Sequence, residues 1–342
     1  MFALHNCITN PLVIPGKQAL GNGVSTSPFF IMNILIYGTG AVGTFLSTLI
    51  YEKNNNCILF SRGDKFELFR NSGITLKTNL KKHKTIYPDL FDTNKIITLS
   101  DLPFIPELVI YCVKSYHNDD SINILKNIFQ NTKTYILTLQ NGFQSTVKLS
   151  NSFGDRILTG AAYIDSVLNE KGEVFETGGD PKIVIGSLYN NGKSLMNDFK
   201  HRFNTKELNI EISNDIKSVI WRKLMYICAL SGIMCLFRQP LANILSDNKG
   251  REILLEIITE TYNVAIADNA VISKEEINNV FYELDTNREN SISSMYEDLK
   301  KSNSIEVDAL NTYVSNKANI FHIDTPMNDL ISSVLEAYMI YR

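Results

Sequence analysis

The chain has 342 residues, of which 44% are hydrophobic and 20% charged, which predicts two ordinary folded domains and excludes a disordered, collagen-like or disulfide-stapled polypeptide. Thirty-six acidic side chains against thirty-three basic ones leave a formal charge of −3. That balance argues against a general grip on nucleic acid or on an acidic membrane, so any anion bound here has to be met by a few placed residues.

Residues 1–31 carry Lys17 as their only charged side chain and match neither a signal peptide nor an arginine-rich transit peptide. They read as a disordered extension or an upstream start, with the folded body opening at Met32. Asn33 to Tyr37 is a short apolar run, as expected of a strand buried on both faces of a parallel sheet. Glycines follow at 38, 40 and 43, then a helical pattern from Thr44 to Lys53, a break at Asn54 to Asn56, and a second strand from Cys57 to Phe60. This is a βαβ unit. Two further apolar strands, Leu108 to Val113 and Tyr135 to Leu139, flank a helical stretch from Asp120 to Phe129, and residues 155–190 read as a hairpin closing the sheet. Past residue 212 the periodicity is helical: Ile216 to Phe237, Lys249 to Asp268, Lys274 to Leu284, Ser293 to Lys301, Ile305 to Ala318 and Met327 to Tyr341. The expected fold class is α/β, an N-terminal dinucleotide-binding domain of the Rossmann type over residues 32–212 followed by an all-helical domain over 213–342.

Cys7, Cys57, Cys112, Cys228 and Cys235 lie far apart, with no C-x-x-C pair and no histidine at ligand spacing, which predicts no metal site and a reducing, cytoplasmic compartment. The longest apolar stretch, Leu224 to Phe237, has 14 residues between Lys223 and Arg238 and is too short to span a bilayer, so no membrane partner is expected. Lys81-Lys82-His83-Lys84 reads as an exposed turn, His117 as a solvated loop residue, and His322 as part of a loop before the last helix.

Gly38-Thr39-Gly40-Ala41-Val42-Gly43 matches G-x-G-x-x-G between a strand and a helix. The first glycine permits the tight turn, the second lets the backbone approach a pyrophosphate, and the third allows close packing of helix on strand. An NAD site usually ends its second strand on an acid that takes the ribose hydroxyls; here Arg62 stands in Ser61-Arg62-Gly63. A guanidinium suits a 2′-phosphate, so NADP(H) is the expected cofactor, with Asp64 a weaker candidate for a ribose contact. Lys114 and Asn141 each follow an apolar strand directly, where ligands of such sheets bind.

These motifs, together with V-K-S-Y at 113–116, Q-N-G at 140–142, W-R-K-L at 221–224, S-I-S-S-M at 291–295 and I-E-V-D at 305–308, resemble the ketopantoate reductases (2-dehydropantoate 2-reductases) in order and approximate spacing over residues 32 to about 340. The resemblance implies NADPH-dependent reduction of a 2-oxo acid, ketopantoate to pantoate in pantothenate synthesis if the substrate also carries over, in a cleft between the two domains. It implies that Lys223 is the catalytic lysine, in contact with the substrate, and Glu306 the active-site glutamate that keeps the lysine charged and orients it or a substrate hydroxyl. Lys114 and Asn141 would contact cofactor and substrate, and Ser294 the substrate. Hydride delivery to a ketone builds charge on oxygen, and Lys223 is suited to supply both a proton and a cation there. Residues four apart share a helical face, so Lys223, Ile227 and Ser231 line one side. The resemblance implies asparagines that hold substrate at the latter two positions, and the isoleucine and serine here leave open a different 2-oxo acid or an imine as substrate. A non-catalytic NADP-binding protein is the reading from another class. A homodimer is compatible with the sequence, which does not fix oligomeric state.

Overall fold

In a computed structural model, which describes residues 31–54, 56–78 and 83–341 with the side chain of His83 excepted, the chain from Met32 onward forms one compact unit. The leading residues 1–30 and the Lys81-Lys82 pair lie outside the described residues. The elements run β1 (Ile34–Tyr37), α1 (Ala41–Lys53), β2 (Cys57–Ser61), α2 (Gly63–Ser72), β3 (Ile74–Lys77), β4 (His83–Ile86), β5 (Asp89–Asp92), β6 (Leu108–Tyr111), α3 (Asn118–Phe129), β7 (Tyr135–Thr138), α4 (Gln144–Phe153), β8 (Ile157–Leu168), β9 (Glu173–Gly186), α5 (Lys193–Phe203) and β10 (Asn209–Ile212). Helices follow: α6 (Ile216–Phe237), α7 (Leu241–Leu245), α8 (Asn248–Ala267), α9 (Glu276–Thr286), α10 (Ser294–Lys300), α11 (Asn311–Phe321) and α12 (Pro326–Tyr341).

Among the described residues, ten strands make one sheet in the order β4-β3-β9-β8-β7-β6-β1-β2-β5, with β10 also on β9. The strands from β5 to β8 pair in parallel, and β8 then turns back antiparallel onto the long β9. One end of β9 carries β3 at Glu173 to Phe175 and the other carries β10 at Lys182 to Ile185. Alternation within β1 divides its side chains between two cores, Ile34 and Ile36 on one face and Leu35 and Tyr37 on the other. Both faces are therefore covered, as a parallel sheet requires. The connection from β1 runs to β2 on one side, and β6 flanks β1 on the other. Their C-terminal ends form the crevice where open α/β sheets take ligands.

Helix α6 is the axis of the second half. It is 22 residues long, beginning well before the apolar stretch read from the sequence, because Asp215 caps it by accepting from the Ser218 amide at 3.1 Å. By length and composition alone it is apolar enough to cross a membrane, with a mean hydropathy of 1.5 over its most apolar window, but 72% of that window is buried inside the protein. The core around it includes Leu224, Met225, Cys228, Ile233 and helices α8 and α12, and it continues onto the sheet through Phe143, Ala161 and Val184. The expected division at 212/213 falls in the short link between β10 and α6.

Two expectations need correction. Residues 305–318 are not one helix: Ile305 and Glu306 are non-helical, a 3-10 turn spans Val307–Ala309, and Leu310 (φ −113°, ψ −104°) breaks the path before α11. Part of the basic run at 81–84 belongs to a strand, since His83 and Lys84 open β4, and Lys84 pairs with Glu52 at 3.0 Å.

Candidate active site

The glycine loop is built as its spacing requires. Gly38 has φ +106°, and a Cβ there would lie 2.7 Å from the Cys112 carbonyl carbon. A Cβ on Gly43 would come within 2.0 Å of the Gly38 oxygen, so only hydrogen fits where α1 crosses the turn. Gly40 differs, because a Cβ there meets nothing within 4 Å. It faces open space, at the start of a helix with no capping side chain and no acid in its first turn. Ala41 and Val42, half-buried, begin that helix. This arrangement fits a dinucleotide pyrophosphate, with free amides and the helix dipole directed at the anion. Thr39 is buried and shares a 2.7 Å hydrogen bond with Ser61, which fastens the loop to the end of β2.

Arg62 follows as the exposed N-terminal flank of α2, with no acidic partner among the described residues. His117 is half-buried and stacked edge-on against Tyr116, with ring centroids 4.5 Å apart. Burial and the charge of Arg62 push its imidazolium down. The histidine therefore sits at this crevice and is not a freely solvated loop residue. Asp64 is exposed in the first turn of α2.

Across the crevice, the loops after β6 and β7 are pinned to the segment before α11. Lys114 donates to Glu306 at 3.0 Å and to Asp298 at 3.1 Å. Burial works against its charge, yet the two carboxylates hold its ammonium above the ordinary lysine value. The other Glu306 oxygen accepts from the Ser115 amide at 2.8 Å. Asp308 accepts from Ser115 Oγ at 2.9 Å with one oxygen and from Gln144 Nε2 at 2.9 Å with the other. Behind them Gln140 Nε2 donates to the Val113 carbonyl at 2.6 Å and to Asn118 Oδ1 at 3.0 Å, while Asn118 donates to Ser145 at 2.9 Å. Gly142 has φ +77°, and a Cβ there would meet the Ala309 oxygen at 2.5 Å. The half-buried Asn141 just before it has no side-chain partner among the described residues and remains free to bond a ligand.

Lys223 reaches this region from α6. Its Nζ donates to the Ala162 carbonyl at 2.5 Å and lies 5.2 Å from the centroid of the Tyr163 ring. Burial pushes its ammonium down to about 8, against the opposing pull of Asp165 and Glu306. Lys223 and Glu306 thus sense each other's charge, but the direct partner of Glu306 is Lys114, and Lys223 has no ion pair among the described residues. Ile227 is half-buried on the same helical face. Ser231 is buried and accepts from Ser293 Oγ at 2.9 Å. Ser293, not Ser294, caps α10, accepting from the Tyr296 amide at 3.1 Å; Ser294 is exposed.

Sequence reasoning singled out Lys114, Asn141, Lys223 and Glu306 but missed Asp298, Asp308, Ser115, Gln144, Gln140 and Tyr163. A signal was available for some of them. Ser115 and Gln140 adjoin residues already chosen, and Asp308 lies two residues past Glu306. Nothing local distinguishes Asp298 or Gln144 from surface residues of their helices.

Comparison with known proteins adds a second line of argument. A family model described as ketopantoate reductase PanE/ApbA matches residues 34–190, and its C-terminal counterpart matches residues 215–339. The 2-dehydropantoate 2-reductase of Pyrococcus horikoshii is 27% identical over 309 residues, covering 90% of this chain and 97% of that protein. The crystal structure of 2-dehydropantoate 2-reductase from Geobacter metallireducens superposes with a TM-score of 0.80 at 22% identity, over 89% of this chain and 99% of that one. The ternary structure of D-mandelate dehydrogenase with NADH and anilino(oxo)acetate gives 0.79 at 17% identity, over 90% and 98%.

Proposed function

Because this chain belongs to the ketopantoate reductase family, whose members are nicotinamide-dependent oxidoreductases acting on a CH–OH carbon, we propose that it reduces a 2-oxo acid to the 2-hydroxy acid with NADPH. Its first candidate substrate is 2-dehydropantoate, which would yield pantoate for pantothenate synthesis. The observation that carries the reading is Lys223: a half-buried lysine with no carboxylate partner among the described residues, its ammonium pushed down to about 8, beside the crevice at the strand ends. Such a group is charged at neutral pH yet gives up its proton readily, as a general acid must.

A nicotinamide held at this crevice would supply the hydride for the carbonyl carbon. The C=O π pair moves onto oxygen, Lys223 Nζ gives that oxygen a proton, and the neutral amine then regains one from solvent. Residues 38–43 would hold the pyrophosphate, and the open space at Gly40 fits that role. Arg62, with no acidic partner among the described residues and standing where an acid would favour NAD, supports NADP(H) through its 2′-phosphate. Asn141, whose amide has no partner among the described residues, is suited to bond the nicotinamide ribose or the reacting oxygen. Lys114, kept charged by Glu306 and Asp298, offers a fixed cation for the substrate carboxylate or a cofactor phosphate.

A second reading differs in substrate. Ile227 gives hydrocarbon one turn beyond Lys223, and Ser231 is already engaged by Ser293. A wall of this kind favours a 2-oxo acid with an apolar side chain over one whose hydroxyl needs a partner. The fold likeness to D-mandelate dehydrogenase is in keeping with that preference. The test is NADPH and NADH oxidation across a panel of 2-oxo acids containing 2-dehydropantoate and branched and aryl side chains. Dominant turnover of 2-dehydropantoate supports the first reading, turnover only of an apolar acid the second. Cofactor binding without turnover of any acid would overturn both and leave a cofactor-binding protein.

A further inference from the structure

We propose that Tyr163 is a positioning residue for Lys223, its ring holding the ammonium against the Ala162 carbonyl at the partition between the reaction crevice and a second cleft. The inference rests on Lys223 being the proton donor. A lysine that must release a proton is poorly served by a tightly bound carboxylate, which would hold the proton in place. The face of an aromatic ring favours a cation over a neutral amine more gently.

The geometry meets that requirement. Tyr163 follows Ala162 on β8, so one dipeptide supplies both the carbonyl at 2.5 Å and the ring whose centroid is 5.2 Å from Nζ. Immediately after it the pairing of β8 with β9 slips, between Tyr163 and Asp165 and again between Asp165 and Ser166. Such irregularities re-aim side chains and recur beside active sites. The cross-strand partner of Tyr163 is Lys182, whose Nζ lies 5.1 Å from the same ring centroid. One ring therefore lies near two ammoniums, that of Lys223 and that of Lys182, and Lys182 and Tyr163 both line a cleft of about 580 Å3 also lined by Arg222, Glu211 and Glu283. The charged groups acting on Lys223 are Asp165 and Glu306; those acting on the Tyr163 hydroxyl are Arg222, Glu283 and Glu211. That hydroxyl has no hydrogen-bond partner among the described residues, so the ring is the active part of the side chain.

Tyr163→Leu and Tyr163→Met both keep apolar bulk and remove the ring; Tyr163→Phe keeps the ring and removes the hydroxyl. The measurement is the titration of Lys223 in protein whose lysines carry 13C-methyl labels, followed by NMR and assigned by the signal lost in Lys223→Met. It is paired with the pH profile of kcat, and thermal melting selects the folded ringless variant. The ringless protein is expected to titrate about half a unit to one unit lower, the shift a desolvated cation–π contact supports, with kcat falling more than the KM for NADPH rises. Tyr163→Phe is expected to keep the parent titration. An unmoved Lys223 titration in the ringless protein, or a loss in Tyr163→Phe equal to that in Tyr163→Leu, overturns the proposal. Because the NMR titration needs no substrate, absence of turnover in the parent protein would refute the reductase reading while leaving the Tyr163 test intact.

Discussion

If Lys223 delivers its proton to the forming alkoxide, as proposed, raising the pH through about 8 should switch the reduction off. The direction follows from the site. Burial disfavours the ammonium, and with no carboxylate at ion-pair distance among the described residues, the opposing charges of Asp165 and Glu306 limit that effect. With a midpoint of about 8, roughly nine-tenths of the molecules are protonated at pH 7 and roughly one-tenth at pH 9. Under saturating NADPH, kcat/KM for the 2-oxo acid should then be level near pH 7 and fall about tenfold per unit above pH 8. Oxidation of the 2-hydroxy acid, which needs the neutral amine as base, should rise over the same interval. Lys223→Met should lower reduction by about a hundredfold to ten-thousandfold, the usual worth of a general acid, and leave NADPH affinity within about threefold. A profile flat from pH 6 to 9.5 in both directions, or full turnover in Lys223→Met, would refute the assignment.

Other substitutions test the remaining parts. Gly40→Ala should fold with an unchanged melting temperature yet bind NADPH about tenfold more weakly (~1.4 kcal/mol) by calorimetry, whereas Gly43→Ala, whose Cβ would meet the Gly38 oxygen at 2.0 Å, should cost about 1–3 kcal/mol in urea denaturation. Arg62→Ala should narrow the ratio of NADH to NADPH dissociation constants by about tenfold to a hundredfold, from the ~1.5–3 kcal/mol of a hydrogen bond to a charged group; an unchanged ratio would make Arg62 a surface residue. Asp308→Ala, which strands Ser115 Oγ and Gln144 Nε2, should cost about 1–3 kcal/mol by the same denaturation and raise the KM for NADPH, with Asp308→Asn milder because one acceptor survives.

Strands β1, β2, β6 and β7, helices α1, α3 and most of those after residue 212, and the positions of Lys114 and Asn141 past their strands were legible because each rests on local chemistry, whereas α2, α4, α5, α7 and β10 went unread. Continuous apolar runs announce doubly buried strands, and glycines at 38, 40 and 43 announce a turn under a helix. The short strands β3, β4 and β5 at the two margins of the sheet were not legible, since Ile74–Lys77 and Asp89–Asp92 owe their conformation to pairing with β9 and β2, partners distant in the chain. The same holds for Glu306. Its helical pattern from Ile305 onward is overruled by the Ser115 amide and Lys114, which lie some 190 positions earlier and draw the carboxylate into the crevice. Ser293 and Ser294 show the resolution limit of a motif. Either could cap α10, and only the approach of Ser231 from α6 determines which one is buried.

Helix α6 joins two properties that enzymes often keep apart. The helix that carries Lys223 is also central to the core of the second half, with Trp221, Leu224, Met225 and Cys228 inaccessible around the lysine. A backbone so enclosed can open only when the whole unit comes apart, so its amide protons should be among the last to exchange with solvent. The segment from Asp298 to Asp308 is anchored to the sheet instead by carboxylates at the rim. The molecule thus resembles a vice with one fixed jaw. Lys223 stays where α6 puts it, and whatever adjustment a ligand demands should fall on the loops and the acidic segment opposite it.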